Sequence, residues 1–239
     1  MRVIALVLVM LLTSACASVF DNMSLAAQTK FQQMLANRFA QKLTAGIDLA
    51  VRQLAVKGGF LDDPLVRILL PPPLGLVIDV ARDLNDNPKA ALLETLMNRA
   101  AENAIPVAGP ILKNMVANMD AETLQKLVDS PRSAATDLLM AEGGQSVQLA
   151  LLPAVTQNLQ ENGAITLYGD LLKASQKPTG VLASVDGVEA QAVEPQAVSP
   201  DQLGQYVAEQ AAGGLFKKVA TRELAIRDSL NNIVASPQE

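Results

Sequence analysis

The chain has 239 residues, half of them hydrophobic and only 3% aromatic, with a formal net charge of −5. It contains no histidine, no tryptophan and a single cysteine, Cys16. These absences exclude His-based triads, Cys–His nucleophiles, His-bearing zinc sites and intramolecular disulfides. Acidic residues outnumber basic ones and no stripe of Lys and Arg stands out, so nucleic-acid binding is disfavoured as well.

The amino terminus has the features of an export signal. Arg2 precedes an apolar run of about ten residues, Val3–Leu12, which small residues follow. The run is shorter than the roughly 20 residues that a membrane-spanning helix needs. We therefore predict a lipoprotein signal peptide over residues 1–15 and a short tether over residues 16–23.

Two processing sites overlap at Cys16. Thr13–Cys16 reads as a lipobox in which Thr13 replaces the usual leucine, and cleavage there would leave Cys16 as the residue that carries lipid. Ala15–Ala17 reads as an A-x-A site, and cleavage after Ala17 would discard the cysteine. We favour lipidation because Cys16 is the only thiol and a tether-like segment follows it. Ala17, rather than Asp, after the cysteine indicates the outer membrane of a double-membraned bacterium.

A single helical domain is predicted over residues 24–235. Abundant Ala and Leu with few aromatics favour an all-α fold, a multi-helix bundle of roughly 8–10 helices. Asn22 or Ser24 caps the first helix, which ends at Gly58-Gly59 and is bent or divided at Gly46. Its apolar residues recur every three or four positions, as one face of a helix requires. They are Leu25, Phe31, Leu35, Phe39, Leu43, Ile47, Val51 and Leu54.

Prolines divide the middle of the chain. Pro71-Pro72-Pro73 predicts an extended crossing between a turn or short helix at Asp63–Leu69 and a helix at Leu74–Leu84. Pro106 and Pro110 bound a short break between two helices.

Polar caps and glycines mark the later elements. Separate helices are predicted before and after Gly143-Gly144, and Pro153 is expected to kink the second of them. Residues 176–198 lack a helical stripe and are predicted to be a loop insertion or small hairpin, after which several final helices follow. The predicted helix starts are Asn87-Pro88, Asp120, Ser130-Pro131 and Ser199-Pro200, the last with a capping box to Gln202.

With these elements in place, several stretches resemble bacterial lipoproteins of the domain-of-unknown-function family numbered 4197. They are Gly59–Pro71, Asn98–Pro106, the LYGDLL segment around Tyr168, and Asp201–Arg227, and together they extend over nearly all of the mature chain. The chain departs from the family at Arg222-Glu223, where two acidic residues are usual, and in its enlarged 176–198 loop. The resemblance implies an exported, mostly helical lipoprotein and supplies no reaction and no catalytic residues.

A set of polar residues is the candidate for a binding or structural cluster. Asn98, Arg99 and Glu102 share one helical face, and Glu223 with Arg227 forms an i,i+4 pair. Together with Arg67, they either converge into a pocket for an anionic or carbonyl ligand, or serve as surface pairs or a buried structural network. The set comprises Arg67, Asn98, Arg99, Glu102, Glu223 and Arg227.

Other polar patterns have simpler explanations. Asp83, Asn85, Asn87 and Glu94 occupy ligand positions of a calcium-binding EF-hand loop, but Pro88 stands where that loop needs a sharply turning glycine. We therefore expect a helix connection there and no metal site.

The remaining candidates for catalysis are also explained by structure. Asp62-Asp63 fits a helix cap better than a pair of catalytic carboxylates, and Tyr168 and Tyr206 fit packing better than acid–base chemistry. No glycine-rich phosphate loop is present, and we expect no cofactor.

The sequence thus favours a non-enzymatic, lipid-anchored binding or interaction protein in the outer membrane, facing the periplasm. Its expected partners are the membrane, through lipidated Cys16, and an envelope protein or a hydrophobic ligand. An alternative is a carrier that holds a lipid or quinone in a cavity of the bundle. A less favoured alternative is an enzyme that uses carboxylates with Arg67 or Arg99 in a cleft.

Overall fold

The structure, a computed structural model, describes residues 24–77, 87–175 and 197–235. Helices account for most of these ranges, and no strand occurs in them, so the predicted all-α multi-helix fold is confirmed. Short 3-10 turns at Ile105–Val107 and Pro200–Gln202 lead into the fourth and last helices. The helices are α1 Leu25–Leu54, α2 Leu74–Val77, α3 Pro88–Ala104, α4 Ala108–Ala117, α5 Ala121–Asp129, α6 Ala134–Glu161, α7 Ala164–Ser175 and α8 Leu203–Ala235.

Helices α6 and α8 form the centre of the bundle and run antiparallel to each other. Thr136 near the start of α6 bonds to Glu223 late in α8, whereas Thr156 late in α6 faces Gly204 at the start of α8. α8 is also packed against α1, and α6 against α3, α4 and α7. α1 additionally contacts α4 and α5. Buried residues from all three described ranges belong to one hydrophobic cluster.

α1 begins as predicted but enters the core only in its second half. The Ser24 hydroxyl accepts a hydrogen bond from the backbone N–H of Ala27, which caps the helix. Leu25 remains 80% exposed, so the predicted apolar stripe is buried only beyond the first turns. Helix α1 is continuous through Gly46, where an added Cβ would lie 3.2 Å from Cβ of Arg222 on α8. That glycine therefore serves close contact between two helices and not a break.

Helices α6 and α8 differ from their predicted boundaries. α6 starts at Ala134, not at Ser130-Pro131, and it continues through Gly143-Gly144 to Glu161. A Cβ on Gly143 would lie 2.3 Å from Sδ of Met115, so this glycine is required by the contact between α6 and α4. Pro153 lies on the exposed side of α6, where water can satisfy the carbonyl that loses its partner. α8 likewise forms one helix where several were predicted.

The other helix starts are confirmed. Asn87 caps α3 ahead of Pro88, and Asp120 caps α5 through a 2.7 Å bond from the Thr123 N–H. The capping box between Ser199 and Gln202 is present at the 3-10 turn before α8. Pro106 lies in the other 3-10 turn, and Pro110 falls within α4, so the predicted break is only one turn long. The 176–198 loop and the end of the Leu74–Leu84 helix fall largely outside the described residues.

The irregular segment from Ala55 to Pro73, called here the crossing segment, packs against α3 and α8. Turns occupy its first part, and residues 63–69 form no helix. In its second part Val66, Ile68 and Leu70 are buried while the residues between them are exposed. This period of two is the side-chain pattern of an extended chain. The segment is therefore an extended chain buried among helices, and no described strand pairs with it.

A pair of adjacent glycines on α8 tests how tightly the crossing segment is packed. Alanine in place of glycine gains about 1 kcal/mol in a helix interior. A Cβ on Gly213 meets nothing within 4 Å, whereas on Gly214 it would lie 2.9 Å from Cε1 of Phe60 and 3.3 Å from Cβ of Val66. We expect Gly213→Ala to raise the free energy of unfolding. The free energy of unfolding of Gly214→Ala should be lower than that of Gly213→Ala by about 1–3 kcal/mol because of overpacking. Urea unfolding of both variants measures the difference, and equal stabilities would contradict the packing described.

Candidate functional site

Asn98 on α3 takes the place of a neighbouring strand for the crossing segment. Its side-chain oxygen accepts a 2.9 Å hydrogen bond from the Ile68 N–H, and its amide nitrogen donates to the Ile68 carbonyl at 2.8 Å. The same nitrogen donates to the Glu94 carbonyl one turn earlier on α3. Both backbone polar groups of a fully buried residue are thereby satisfied, which they must be in a helical core.

Glu102 continues the same row of contacts one turn further along α3. One of its carboxylate oxygens accepts a hydrogen bond from the Phe60 N–H at 3.3 Å, and the other accepts one from Arg99 at 3.0 Å. The Glu102 side chain is almost fully buried, and Arg99 supplies the compensating charge from the surface. Glu102 and Arg99 therefore hold the first part of the crossing segment against α3.

Glu94 completes this row and pairs with Arg67. The Nε of Arg67 donates to one oxygen of the Glu94 carboxylate, while the other oxygen is buried without a hydrogen-bond partner among the described residues. Glu94 is buried, but the Arg67 side chain is 42% exposed. A buried carboxylate thus fixes a guanidinium whose outer edge faces solvent.

Glu223 and Arg227, called here the cap pair, bind the ends of two other helices. The Glu223 carboxylate accepts hydrogen bonds from the N–H groups of Ala135 and Thr136 at the start of α6, at 3.0 and 2.8 Å, and from the Thr136 hydroxyl at 2.7 Å. An anion at a helix amino terminus is favoured by the helix dipole. Both side chains of the cap pair are buried, and they bond to each other at 2.6 Å.

Arg227 bonds to the carboxyl terminus of α5, whereas Glu223 bonds to the amino terminus of α6. Its Nη1 donates to carbonyls of the last turn and of the following loop, and its carbon Cζ lies 4.9 Å from the centre of the Phe39 ring. A cation at a helix carboxyl terminus is favoured for the same electrostatic reason. The carbonyls within reach of Nη1 are those of Leu127, Val128 and Ser130.

The candidate residues therefore fall into two clusters and do not form one pocket. Lys218 bonds to Asp63 of the crossing segment, whereas Arg227 lies nine residues further along α8, which is about 14 Å along a helix axis. Glu94, which the sequence interpretation placed only in a rejected calcium loop, belongs to the first cluster. Its signal was the spacing of Glu94, Asn98 and Glu102 at successive intervals of four on an otherwise apolar face.

Asp63 and Lys218 form a further contact of the crossing segment. Asp63 also accepts a hydrogen bond from the Leu65 N–H, so it stabilises a turn and not a helix. The hydrogen bond from Lys218 lowers the pKa of the Asp63 carboxyl below its ordinary value. The Asp62-Asp63 pair is thus engaged in loop structure through Asp63.

The two tyrosines bind backbone carbonyls. The fully buried Tyr168 donates its hydroxyl proton to the Val198 carbonyl at 2.6 Å, with the Pro72 carbonyl at 3.3 Å. Burial raises the pKa of Tyr168 to about 12 and also raises that of Tyr206, which bonds to the Leu69 carbonyl. A tyrosine with such a pKa holds its proton at neutral pH, which suits a structural donor.

An open cleft lies between α6, α8 and the crossing segment and is called here the α6–α8 cleft. It has a volume of about 360 Å³. Val66 and Arg67 line it from the crossing segment, and residues between Glu209 and Lys217 line it from α8. Its lining residues on α6 are Met140, Gly144 and Gln148. The cleft combines apolar surface with charged groups at its margins.

Neither a metal site nor a membrane span is found in the described ranges. They contain no group of three acidic or cysteine side chains that could hold a metal ion. Of the residues at the EF-hand positions that the sequence analysis rejected as a calcium site, Asn87 forms a helix cap and Glu94 pairs with Arg67, while Asp83 and Asn85 lie outside the described residues. None of the described helices is both long and apolar enough to cross a bilayer.

Comparison with models of known protein families matches residues 30–235 to the family described as "Protein of unknown function (DUF4197)". The match confirms the family resemblance found in the sequence and leaves lipid attachment at Cys16 a prediction. No curated protein and no solved structure matched the chain.

The cap pair provides a stability test with a matched control. Glu223→Gln removes the charge that compensates buried Arg227, and breaking a buried pair in this way costs about 3–5 kcal/mol. Glu122→Gln alters a pair with the same i,i+4 spacing, but both of its side chains are more than 70% exposed, so we expect a loss below about 0.5 kcal/mol. Chemical unfolding of the two variants should separate them clearly. Similar small losses would show that the cap pair does not hold the helix ends.

Tyr168 gives a prediction for alkaline pH. The unfolded chain releases this proton near pH 10, whereas the folded chain retains it to about pH 12. The contribution of Tyr168 to the free energy of unfolding is therefore complete below about pH 10. Between about pH 10 and about pH 12 it is lost at about 1.4 kcal/mol per pH unit. We expect the free energy of unfolding to fall less steeply in Tyr168→Phe than in the unaltered protein between about pH 10 and about pH 12. Parallel slopes in the two proteins would contradict the assignment.

Proposed function

The chain belongs to the DUF4197 family of proteins of unknown function, and from that premise we propose that it is a non-enzymatic, lipid-anchored binding protein of the bacterial cell envelope. The α6–α8 cleft is its binding surface. The observation that carries this proposal is the exposed guanidinium of Arg67, which buried Glu94 holds at the α6–α8 cleft, where polar and apolar side chains meet. A positioned guanidinium beside apolar surface is a common element of recognition sites.

The roles of the buried polar residues support binding over catalysis. Asn98, Glu102, Glu223 and Arg227 bond to backbone groups of the crossing segment or of helix ends. A general acid or base must reach a substrate, and these groups are instead engaged within the fold. Arg67 differs from them because its outer edge is accessible from the cleft.

The carrier alternative has less support than the open binding surface. A lipid or quinone carrier needs an enclosed, mainly apolar chamber that covers most of its ligand. Four clefts lined by described residues, of about 320 to 490 Å³, are open to solvent and include polar lining residues. Aliphatic side chains of several helices meet in the interior instead.

The proposed anchor is Cys16, which precedes the described residues. Leu25 at the start of α1 is mostly exposed, and the buried residues of this helix begin only at Ala36. A tether over residues 16–23 would therefore join the domain at its surface. Acyl chains on Cys16 contribute about 0.8 kcal/mol per buried CH₂ group, enough for stable attachment when several chains are present.

The anchor is tested by replacing the cysteine. In Gram-negative cells that receive labelled palmitate, we expect the unaltered protein to carry label and to fractionate with outer membranes. Cys16→Ser should lose the label and appear in the soluble periplasmic fraction, whereas the control Ser18→Ala should behave like the unaltered protein. Intact-mass measurement adds a second readout, because cleavage after Ala17 would leave an unmodified chain that begins at Ser18. That mass, or full membrane attachment of Cys16→Ser, would overturn the proposed anchor.

A further inference from the structure

We propose that the exposed face of α1 lies on the surface of a bilayer that contains anionic phospholipids, as a second membrane contact beside the acyl chains on Cys16. This inference rests on the proposed anchor and names the surface of the domain that the anchor brings to the membrane. It follows from the charge of α1, from the side chains that its outer side exposes and from the length of the tether.

Helix α1 is cationic in a chain that is acidic overall. The formal net charge of the chain is −5, whereas α1 contains four basic residues and a single acidic one, Asp48. The Asp48 carboxylate pairs with Nζ of Lys113 on α4 at 2.8 Å, so its negative charge is compensated within the fold. The basic residues of α1 are Lys30, Arg38, Lys42 and Arg52.

Three of these cations share the outer side of the helix. With 3.6 residues per turn, Lys30, Arg38 and Arg52 lie within about 80° of one another around the helix axis. All three are exposed, and no hydrogen bond or ion pair with another described residue engages them. Lys42 lies closer to α8 and donates to the Ser229 hydroxyl at 3.1 Å. The buried residues on the opposite side of the helix include Phe39, Leu43, Ile47 and Ala50.

Apolar side chains lie between the cations on this outer side. Met34 is four residues from both Lys30 and Arg38, and 41% of it is exposed. Leu49 precedes Arg52 by three residues and is 37% exposed. These five residues are called here the α1 outer face. Helices that lie in a membrane interface have this composition, because apolar groups enter the headgroup boundary while cations attract anionic lipids.

The α1 outer face is long and does not belong to a cleft. Lys30 and Arg52 are 22 residues apart, which is about 33 Å along a helix axis. None of the five residues lines any of the four clefts described above. Cations spread over this length outside a cavity match an extended anionic surface better than a small anion. A second copy of the chain is a poorer match, because a symmetric contact through this face would oppose like charges.

The predicted tether keeps the α1 outer face close to the bilayer. Residues 16–23 span at most about 29 Å when fully extended, and the capped start of α1 follows them directly. An acyl anchor on Cys16 therefore raises the effective concentration of this face at the lipid surface. Each basic residue near an anionic surface then favours docking by about fivefold. Acidic residues on other sides of the domain oppose docking little, because salt screens exposed charges over about 8 Å.

The first test places a fluorophore on the α1 outer face of the acylated full-length protein. Cys16 is the only thiol and is blocked in the anchored protein, so Ala45→Cys adds one labelling site at an exposed position on the same side of α1. In vesicles of equal parts phosphatidylcholine and phosphatidylglycerol, we expect nitroxide-labelled lipid headgroups to quench this fluorophore. Quenching should be weak in vesicles of phosphatidylcholine alone, and weak for a fluorophore at Ala141→Cys, an exposed position on α6.

Charge variants separate specific docking from the proximity that the anchor alone causes. Arg38→Gln removes one cation from the α1 outer face and should lower the ratio of docked to undocked protein by about fivefold. Lys89→Gln removes the same charge from an exposed position on α3 and should change that ratio by less than about twofold. Circular dichroism verifies that the helices of both variants are intact. Equal effects of the two substitutions, or quenching that does not depend on phosphatidylglycerol, would overturn the proposed contact.

Sedimentation with the same vesicles separates this proposal from the anchor. Full-length Cys16→Ser has no acyl chain, and we expect it to bind weakly, only when phosphatidylglycerol is present, and not at high salt. If the unaltered protein is not acylated but this weak binding occurs and Arg38→Gln reduces it, the anchor fails and the α1 contact stands. If the protein is acylated but the Ala45→Cys fluorophore is not quenched, the α1 contact fails and the anchor stands. Disulfide formation between two unlabelled Ala45→Cys chains on vesicles, without quenching of the labelled protein, would overturn the lipid surface in favour of a second copy.

Discussion

The fold depends on one constraint: buried backbone N–H and C=O groups must find hydrogen-bond partners even where the chain is not helical. A helix satisfies its own interior, but the crossing segment and the junction between α5 and α6 do not. At both places a neighbouring helix supplies side chains that bond directly to the backbone. Asn98 and Glu102 do so for the crossing segment, and the cap pair does so for the helix junction. With a single cysteine available, no internal disulfide can share this task.

This constraint also separates the structural residues from those available for recognition. The carboxylates and amides that bind backbone groups lie in the interior, where a ligand would have to displace existing bonds. Arg67 lies at the boundary, since its inner edge meets buried Glu94 and its outer edge faces the α6–α8 cleft. The same ion pair therefore contributes to docking the crossing segment and orients a charged group toward solvent.

The sequence predicted helix starts well where a capping residue acts on backbone groups close to it in the chain. Ser24, Asn87, Asp120 and the Ser199 capping box act on backbone groups within a few residues, and each is found at its helix start. Gly143 was misread because its role depends on Met115, a contact between two helices that no local pattern reveals. The amino-terminal anchor lies outside the described residues and remains a prediction.

The candidate site was predicted in part. The polar residues chosen from the sequence include the principal members of both clusters, but the sequence did not show that they lie at separate places along α8. That separation is set by the way α8 crosses the crossing segment first and the α5–α6 junction later. Glu94 was considered only in a calcium pattern that the sequence itself excluded, because its spacing was read from Asp83 along the chain; in the structure its carboxylate pairs with Arg67 and its carbonyl with Asn98.

The extended part of the crossing segment has a further consequence, for the behaviour of the folded chain in a crowded solution. A strand-like segment with unpaired backbone groups is a template on which another chain can add by β pairing. Here Asn98 already bonds both backbone groups of Ile68, and the charged Arg67 stands on the exposed side. Beyond Leu70 the chain continues as Pro71-Pro72-Pro73, and proline has no N–H to donate to a ladder. The residues that dock the segment thus also limit edge-to-edge association between molecules.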